Sequence, residues 1–317
     1  MRILVTGGAG FIGSHLAEAL HTHHEVHVLD NLSTGQRENL PPDIPLYEID
    51  LLEAEALEAH FAKHTYEVIC HLAAQVDVRS SIEAPHQDAQ VNILGTLRLL
   101  QAVRSFRPWV IFASTGGAIY GEKARLPIPE SEPPNPESPY GISKLAGELY
   151  LQYFGRVYGF PYTILRLANV YGPRQSPHGE AGVVAIFSYR LLTGQPTWIY
   201  GDGHQTRDFI FVADVVEAFM SVLRHPTTTQ NQIFNVGTAQ ATTVIALHQR
   251  VAAQVGSGQC PQFLPPKAGE VRHNSLDARK LYQATGWQPR TTLEEGLAAT
   301  LAAFQKTLTT TRFQNKG

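Results

Sequence analysis

Tyr140 and Lys144 stand four residues apart in the run Tyr140-Gly141-Ile142-Ser143-Lys144, the spacing at which two side chains share one face of a helix. An ammonium beside a phenol lowers the phenol's affinity for its proton, which turns a weak base with a pKa of about 10 into a usable one. Upstream lies Phe112-Ala113-Ser114-Thr115-Gly116-Gly117, a pair of hydroxyls closing an apolar run and followed by a flexible turn. A hydroxyl at that strand end is able to bond both a substrate oxygen and the phenol. The chain opens with a third set, Thr6-Gly7-Gly8-Ala9-Gly10-Phe11-Ile12-Gly13, a glycine loop of the kind that cradles phosphates. The three sets together describe an enzyme that moves a proton and a hydride.

The glycine loop, with Phe11 and Ile12 between its last two glycines as further cofactor-binding candidates, follows the first β-rich run directly and opens the first helix. Gly7 permits the tight turn, Gly10 lets the backbone approach a pyrophosphate above the helix N-terminus, and Gly13 allows helix and strand to pack closely. Asp30 ends the second β run, where a carboxylate accepts hydrogen bonds from an adenine ribose and repels a 2′-phosphate, so NAD is expected rather than NADP. Asp50-Leu51 ends the third run, and His71 the fourth. The small residues that follow, within Leu72-Ala73-Ala74-Gln75, let a dinucleotide lie close. His71 reads as a packed strand-end imidazole. Asn92 lies inside a helical pattern that it suits poorly, so it either braces the site or faces solvent.

These residues need a scaffold that gathers strand ends along one edge. β-rich runs at Arg2 to Thr6, Glu25 to Asp30, Pro45 to Ile49, Glu67 to His71, Pro108 to Ser114 and Tyr162 to Arg166 alternate with helical patterns. The helical patterns run from Gly13 to Leu20, Glu53 to Lys63, Gln87 to Ser105 and Tyr140 to Tyr158. That alternation is the sequence form of βαβ units, and it predicts an α/β fold with a doubly wound parallel sheet. From about Gly172 the alternation weakens and Gly/Pro connectors separate shorter elements, as expected of a smaller C-terminal lobe. Phe209 to Leu223 reads as a helix and Ile233 to Val236 as a strand, both returning to the main sheet. The expected division is 1–171 with returns near 207–237, a second lobe at 172–206 and 238–305, and a tail at 306–317.

Composition narrows the partners. With 317 residues, a formal charge of −3 and interspersed signs, the chain has no electrostatic reason to bind nucleic acid or a membrane surface. Cys70 and Cys260 form neither a CxxC nor a Cys/His cluster, so neither a disulfide framework nor a metal is expected. Without a leader pattern or a spanning apolar run, the expected location is the cytoplasm.

The glycine loop, the Tyr140/Lys144 pair and Ser114/Thr115 resemble the extended short-chain dehydrogenase/reductase superfamily. Within it the chain is similar to the NAD-dependent UDP-sugar 4-epimerases of the UDP-glucose 4-epimerase type, over about residues 1–305. The more specific stretches are Asp30-Asn31-Leu32-Ser33-Thr34-Gly35, Ser138 to Lys144, Leu165 to Arg174 and Gly203-His204-Gln205-Thr206-Arg207-Asp208-Phe209. The resemblance implies a Rossmann-type fold, with Asp30 and Asn31 on the adenosine ribose and Asp50 and Leu51 on the adenine. It makes Tyr140 the base, Thr115 its hydroxyl partner and Lys144 its tuner. It places Asn169 and Arg207 on the UDP diphosphate, and a guanidinium suits that role because its fork matches phosphate oxygens. A surface ion pair between Arg207 and Asp208 is the structural alternative. Lys267, Gly269 and Glu270 fall on the late substrate segment, with Glu270 toward the uridine ribose, and a homodimer through the helices at 87–105 and 140–158 is implied.

The chain departs from the family in specific places. Leu167-Ala168 stands where the best-known epimerases carry Tyr-Phe, and Val76 replaces a lysine, with Arg79 as its substitute. Asn274 occupies the position thought to limit the sugar pocket, and its small size is expected to admit a C2 N-acetyl group as well as UDP-glucose. Related dehydratases and decarboxylases place an acid just after the Ser/Thr, where this chain has Gly116-Gly117-Ala118. Interconversion of UDP-glucose and UDP-galactose through transient oxidation at C4 is therefore the expected activity. Other nucleotide-sugar chemistry (UDP-glucuronate epimerisation, decarboxylation, dehydration, simple dehydrogenation) and an inactive nucleotide-binding scaffold are the alternatives.

Overall fold

A computed structural model describes residues 1–123, 125–178, 182–266 and 271–314, with side chains through 309. Seven strands form the main sheet: β1 (Arg2–Thr6), β2 (Glu25–Asp30), β3 (Leu46–Glu48), β4 (Val68–His71), β5 (Trp109–Thr115), β6 (Tyr162–Leu167) and, far along the chain, β10 (Gln232–Val236). In chain order β7 (Asn169–Tyr171), β8 (Trp198–Tyr200) and β9 (Thr206–Phe211) precede β10, and β11 (Ala241–Thr243) and β12 (Gln262–Leu264) follow it. The spatial order is β3-β2-β1-β4-β5-β6-β10, every pair parallel. The order reverses between β1 and β4, and ligands of open α/β sheets bind at the carboxyl ends of the strands beside such a switch point.

Strand alternation sends successive side chains to opposite faces. Ile3, Val5, Val28, Cys70 and Ile111 pack in one core with Leu16 and Leu20 of the helix Phe11–His21 and Phe219 of the helix Val212–Arg224. Leu4, Ile69, Val110 and Phe112 face the other way, onto Phe61, Leu99 and Leu151. A third core of Tyr171, Phe187, Ile199, Phe209, Leu247 and Leu297 lies around the sheet β11-β9-β7. It is the interior of the smaller C-terminal part.

Three elements differ from the sequence expectation. Phe209, Ile210 and Phe211 belong to β9, and the helix starts only at Val212, because aromatic and β-branched residues favour an extended, half-buried backbone. β9 pairs with β7 and β11 in the small sheet, whereas the helix Val212–Arg224 packs on the main sheet and β10 joins it. The stretch 87–105 is not one helix. It divides into Pro85–Ala89, a π turn at Gln90–Leu94 and Gly95–Ala102, and single π turns of this kind are frequent at functional sites. The helix Leu293–Gln314 runs through the first part of the expected tail.

Candidate active site

The glycine loop is built for close approach. Gly7 has φ +68°, and a Cβ there would lie 2.6 Å from Ala73 N, so the loop presses against the segment after β4. A Cβ on Gly13 would lie 2.1 Å from the Gly7 carbonyl oxygen. Gly10 caps the helix Phe11–His21 with no side-chain hydrogen bond, which leaves the first-turn N–H groups of Phe11 and Ile12 for an anion. A Cβ on Gly10 would meet nothing nearer than the Gly7 oxygen at 3.3 Å. These residues fit a bound pyrophosphate.

Asp30 is buried and also organises the loop. Its Oδ2 accepts from Ala9 N at 2.9 Å and its Oδ1 from Leu32 N at 2.9 Å. Each oxygen keeps a second lone pair for ribose hydroxyls. Asn31 Nδ2 donates to Asp50 Oδ2 at 2.8 Å, and Leu51 packs 3.2 Å from where a Cβ on Gly95 would stand. The adenosine-side residues named from sequence are thus joined to one another. Leu72 and Ala73 hydrogen-bond back to Thr6 through their N–H groups, and Ala74 leads to Gln75, whose N–H donates to Asn92 Oδ1 at 2.9 Å. Asn92 is buried, so of its two readings the bracing one holds.

His71 sits inside a hydrogen-bond chain whose proton order can be counted. Thr96 Oγ1 gives its proton to the Asn92 carbonyl at 2.7 Å, so at 3.0 Å it accepts from His71 Nε2–H. Nδ1 then accepts from the Thr6 hydroxyl at 2.7 Å. Burial, with the nearby Lys144 charge, pulls His71 down to about 3, which keeps it neutral.

The catalytic helix Pro139–Tyr158 is capped by Ser138, whose Oγ accepts from Gly141 N at 3.2 Å, and it ends at Gly159 with φ 74°. Tyr140 N donates to Ser81 Oγ at 3.1 Å, which fixes its first turn. Tyr140, Lys144 and Glu148 form one stripe at four-residue spacing. Lys144 is 4 % exposed, with Nζ 4.4 Å from the centre of the Phe112 ring. Thr115 caps the short helix Gly116–Ile119 by accepting from Ala118 N at 3.2 Å, and its hydroxyl is near enough to the Tyr140 phenol to favour the phenolate.

Two expectations need correction here. Ser114 and Thr115 point to opposite sides: Ser114 Oγ donates to Glu148 Oε1 at 2.6 Å, away from the phenol, as strand alternation requires. The phenol is also not drawn down by Lys144. Burial pushes Tyr140 up to about 12 against the pull of the Thr115 hydroxyl, and the Asp88 carboxylate adds to the rise. Burial pulls Lys144 down to about 8, while Glu148 and Asp88 hold it up. Desolvation of the phenolate outweighs a cation that faces two carboxylates.

Behind the site lies a buried ion pair that motif reading does not find. Glu148 accepts from Arg166 Nη2 at 2.7 Å and from Nε at 3.0 Å, and Arg166 Nη1 donates to Tyr120 at 2.8 Å. Its signal in the sequence is a charge at Lys144+4 on the packed face of the helix. Asp88, missed as well, lies four residues before Asn92.

The residues expected on the sugar side come from separate segments. Asn169 on β7 carries a buried Oδ1 with no hydrogen-bond partner among the described residues, and a Cβ on Gly117 would stand 3.5 Å from it and 3.7 Å from Thr115 Oγ1. Asn274 is 1 % exposed; its Nδ2 donates to the Gly116 carbonyl at 3.1 Å, and its Oδ1 is likewise unpartnered among the described residues. A Cβ on Gly116 would lie 2.3 Å from Leu276 Cδ1, so a side chain there would have to displace Leu276. Asp208 does not pair with Arg207. Its buried carboxylate accepts from Thr238, Ala239 and Leu276 N–H groups and binds the 274–276 segment to β9. Arg207 Nη1 donates to the Thr206 and Arg272 carbonyls at 2.9 and 3.3 Å. Arg79, the proposed substitute for a lysine at Val76, forms an ion pair with Glu83 at 3.3 Å. Lys267, Gly269 and Glu270 lie outside the described residues.

A parallel sheet with a phosphate loop at its switch point and a Thr115-Tyr140-Lys144 constellation at the end of β5 defines an NAD-linked enzyme of the extended short-chain dehydrogenase/reductase class. Comparison with known proteins narrows the class. The NAD dependent epimerase/dehydratase family model matches residues 3–237, and the chain belongs to that family. A UDP-glucose 4-epimerase of Mycolicibacterium smegmatis is 45% identical over 96% of this chain and 99% of its own length. The structure of a UDP-glucose 4-epimerase of Thermotoga maritima with UDP-glucose superposes with a TM-score of 0.94 at 47% identity, covering 97% of this chain and all (100%) of that one. That of a UDP-glucose 4-epimerase of Thermus thermophilus with NAD has a TM-score of 0.91 at 44% identity, covering 96% and 99%.

Proposed function

We propose that this chain is an NAD-dependent 4-epimerase that interconverts UDP-glucose and UDP-galactose. The observation that carries the proposal is the placement of Thr115 and Tyr140 near amide oxygens of Asn169 and Asn274 that have no partner among the described residues, on a turn, Gly116-Gly117-Ala118, that bears no carboxylate. Tyr140 takes the proton of the sugar 4-hydroxyl and later returns it. Thr115 holds the reacting oxygen through its hydroxyl, and Lys144, one turn further along the same helix, supplies a cation to the site. NAD, which Gly7, Gly10, Gly13 and Asp30 would hold, would supply the reversible hydride acceptance that oxidation and reduction at the sugar C4 need. Asn169 and Arg207 hold the diphosphate while the keto sugar turns, and Asn274 leaves space for a C2 N-acetyl group, so UDP-N-acetylglucosamine is proposed as a second substrate.

A homodimer in the cytoplasm completes the proposal. Ile142, Leu149, Tyr150, Tyr153 and Val157 are exposed at one-face spacing on the catalytic helix, with Ile82 and Leu94 on neighbouring elements, and an apolar stripe of that kind supports docking of a second copy. Cys70 and Cys260 are both free, which agrees with a reducing compartment. No helix of the described residues is long and apolar enough to cross a membrane.

Proton NMR of the purified protein with UDP-glucose, UDP-N-acetylglucosamine and UDP-glucuronate, with and without added NAD, tests the reading. The C4 epimer of UDP-glucose is expected with no net NADH. A dehydrated or decarboxylated product, or no product from any of the three, overturns it.

A further inference from the structure

Asp88 is 1 % exposed at the end of the helix Pro85–Ala89, beside the π turn that carries Asn92. Its Oδ1 accepts from the side-chain amides of Gln75 and Asn92, each at 3.0 Å. Asn92 also donates to Ser143 Oγ at 3.2 Å, and Ser143 Oγ donates to the Tyr140 carbonyl at 3.0 Å. A line of side chains therefore joins the loop after β4 to the first turn of the catalytic helix, and Asp88 is its ionisable member. Oδ2 is buried with no hydrogen-bond partner among the described residues. The groups facing this carboxylate are Lys144, Ser143 and Tyr140 from the catalytic helix, Gln75 from the loop and Asn92 from the π turn. Lys144 is faced in turn by Asp88, Glu148, His71 and the Phe112 ring. A carboxylate withdrawn from water needs a compensating charge, and Lys144 is the cation within its field.

We propose that Asp88 is a positioning residue of the proton-transfer site, tying the loop after β4 to the catalytic helix and presenting a fixed negative charge to Lys144 and Tyr140. The inference rests on the reading of Tyr140 as the base. Asp88→Asn is nearly isosteric and retains an acceptor oxygen for Gln75 and Asn92, so it removes the charge and spares the tether. Without that charge the ammonium of Lys144 is held less firmly and the phenolate of Tyr140 is opposed less, so both limbs of a bell-shaped pH profile move toward acid.

The test has a readout apart from turnover. The chain has seven lysines, and Lys144 Nζ lies 4.4 Å from the Phe112 ring centre, so ring current separates its side-chain resonances from the rest. With lysine labelled at Cε by carbon-13, the signal absent from Lys144→Arg is titrated; its midpoint is expected near 8 in the wild type. In Asp88→Asn the midpoint is expected about one pH unit lower, with the kcat profile displaced in the same direction. Asp88→Ser, neutral and smaller, is expected to show the same downward midpoint and serves if the Asn variant does not fold, whereas Asp88→Glu keeps the charge and stays near 8. Superimposable wild-type and neutral-variant titrations overturn the proposal. If the wild type produces no C4 epimer, the epimerase reading falls while the lysine titration still decides the role of Asp88.

Discussion

The cofactor side and the sugar side of the cleft are built in opposite ways. On the cofactor side the polar side chains are already paired with protein: Asp30 with two backbone N–H groups, Asn31 with Asp50, Gln75 with Asn92 and Asp88, His71 between two threonines. Asp88 Oδ2 is the exception. On the sugar side Asn169 and Asn274 keep buried amide oxygens without partners among the described residues. A buried acceptor left unmade costs about 1–3 kcal/mol, a deficit that a hydroxyl-rich ligand removes on binding. The contrast matches the task. A hydride and proton must be exchanged at fixed positions, whereas a sugar must be accepted in two configurations at C4, which a surface with spare acceptors allows.

The most damaging way to break this arrangement is to remove the base. Tyr140→Phe deletes one hydroxyl and leaves the helix cap, the Ser81 contact and the fold in place, so kcat is expected to fall by a factor on the order of 10²–10⁴ with unfolding temperature unchanged. Epimerisation followed by NMR and a thermal melt decide it. Retained turnover would remove Tyr140 from the mechanism. Glu148→Gln attacks the support behind the base. It leaves Arg166 buried without its anion, and breaking one side of a buried pair destabilises by about 3–5 kcal/mol. Denaturant unfolding measures that loss, and a change below about 1 kcal/mol would show the pair to be replaceable.

Acid should weaken the sheet edge formed by β2 and β3. His60 stacks among His64, Tyr47 and Tyr66 against β2 and β3, and burial pulls it down to about 4. The folded chain takes up that proton only near pH 4, the unfolded chain already near 6.5. The stabilisation is therefore present above pH 6.5 and is lost as pH falls toward 4, by an amount on the order of 1–3 kcal/mol. His60→Gln should flatten the slope between those values; an unchanged slope would assign it to other groups, His27 and His71 among them.

How much of this was legible in the sequence also follows the two sides. The glycine loop, Asp30 and the Tyr140/Lys144 pair are read directly because each lies within one βα unit, where spacing alone sets geometry. Asn31 and Asp50 come together as well, through one hydrogen bond, since strand ends converge along one edge of a parallel sheet. Glu148 with Arg166, Asp208 with the loop after β10, and Asp88 with Gln75 depend on pairings between distant segments, which no local pattern encodes. The π turn at Asn92 was invisible for a related reason: the extra residue is selected by a contact to Gln75, 17 residues away. The phenol's affinity for its proton was misjudged because spacing reports that Lys144 is near and cannot report that two carboxylates already face it.

The sugar side is tested most finely at Asn274. Its backbone is held by Thr206 O at 3.3 Å and its neighbour Leu276 by Asp208 at 3.1 Å, so the segment is fixed and only the side chain needs to change the pocket. Asn274→Tyr loses the bond to the Gly116 carbonyl and adds a ring where the small amide stood. UDP-glucose has nothing at C2 that needs this space, whereas an N-acetyl group does. The ratio of kcat/KM for UDP-N-acetylglucosamine to that for UDP-glucose is expected to fall by about 10–200-fold, the range that steric discrimination in a pocket yields. The direction separates two origins of tolerance. A falling ratio means that space beside Gly116 admits the second sugar, and an unchanged ratio, with both sugars slowed alike, means that Asn274 acts through its spare acceptor on a hydroxyl the two sugars share.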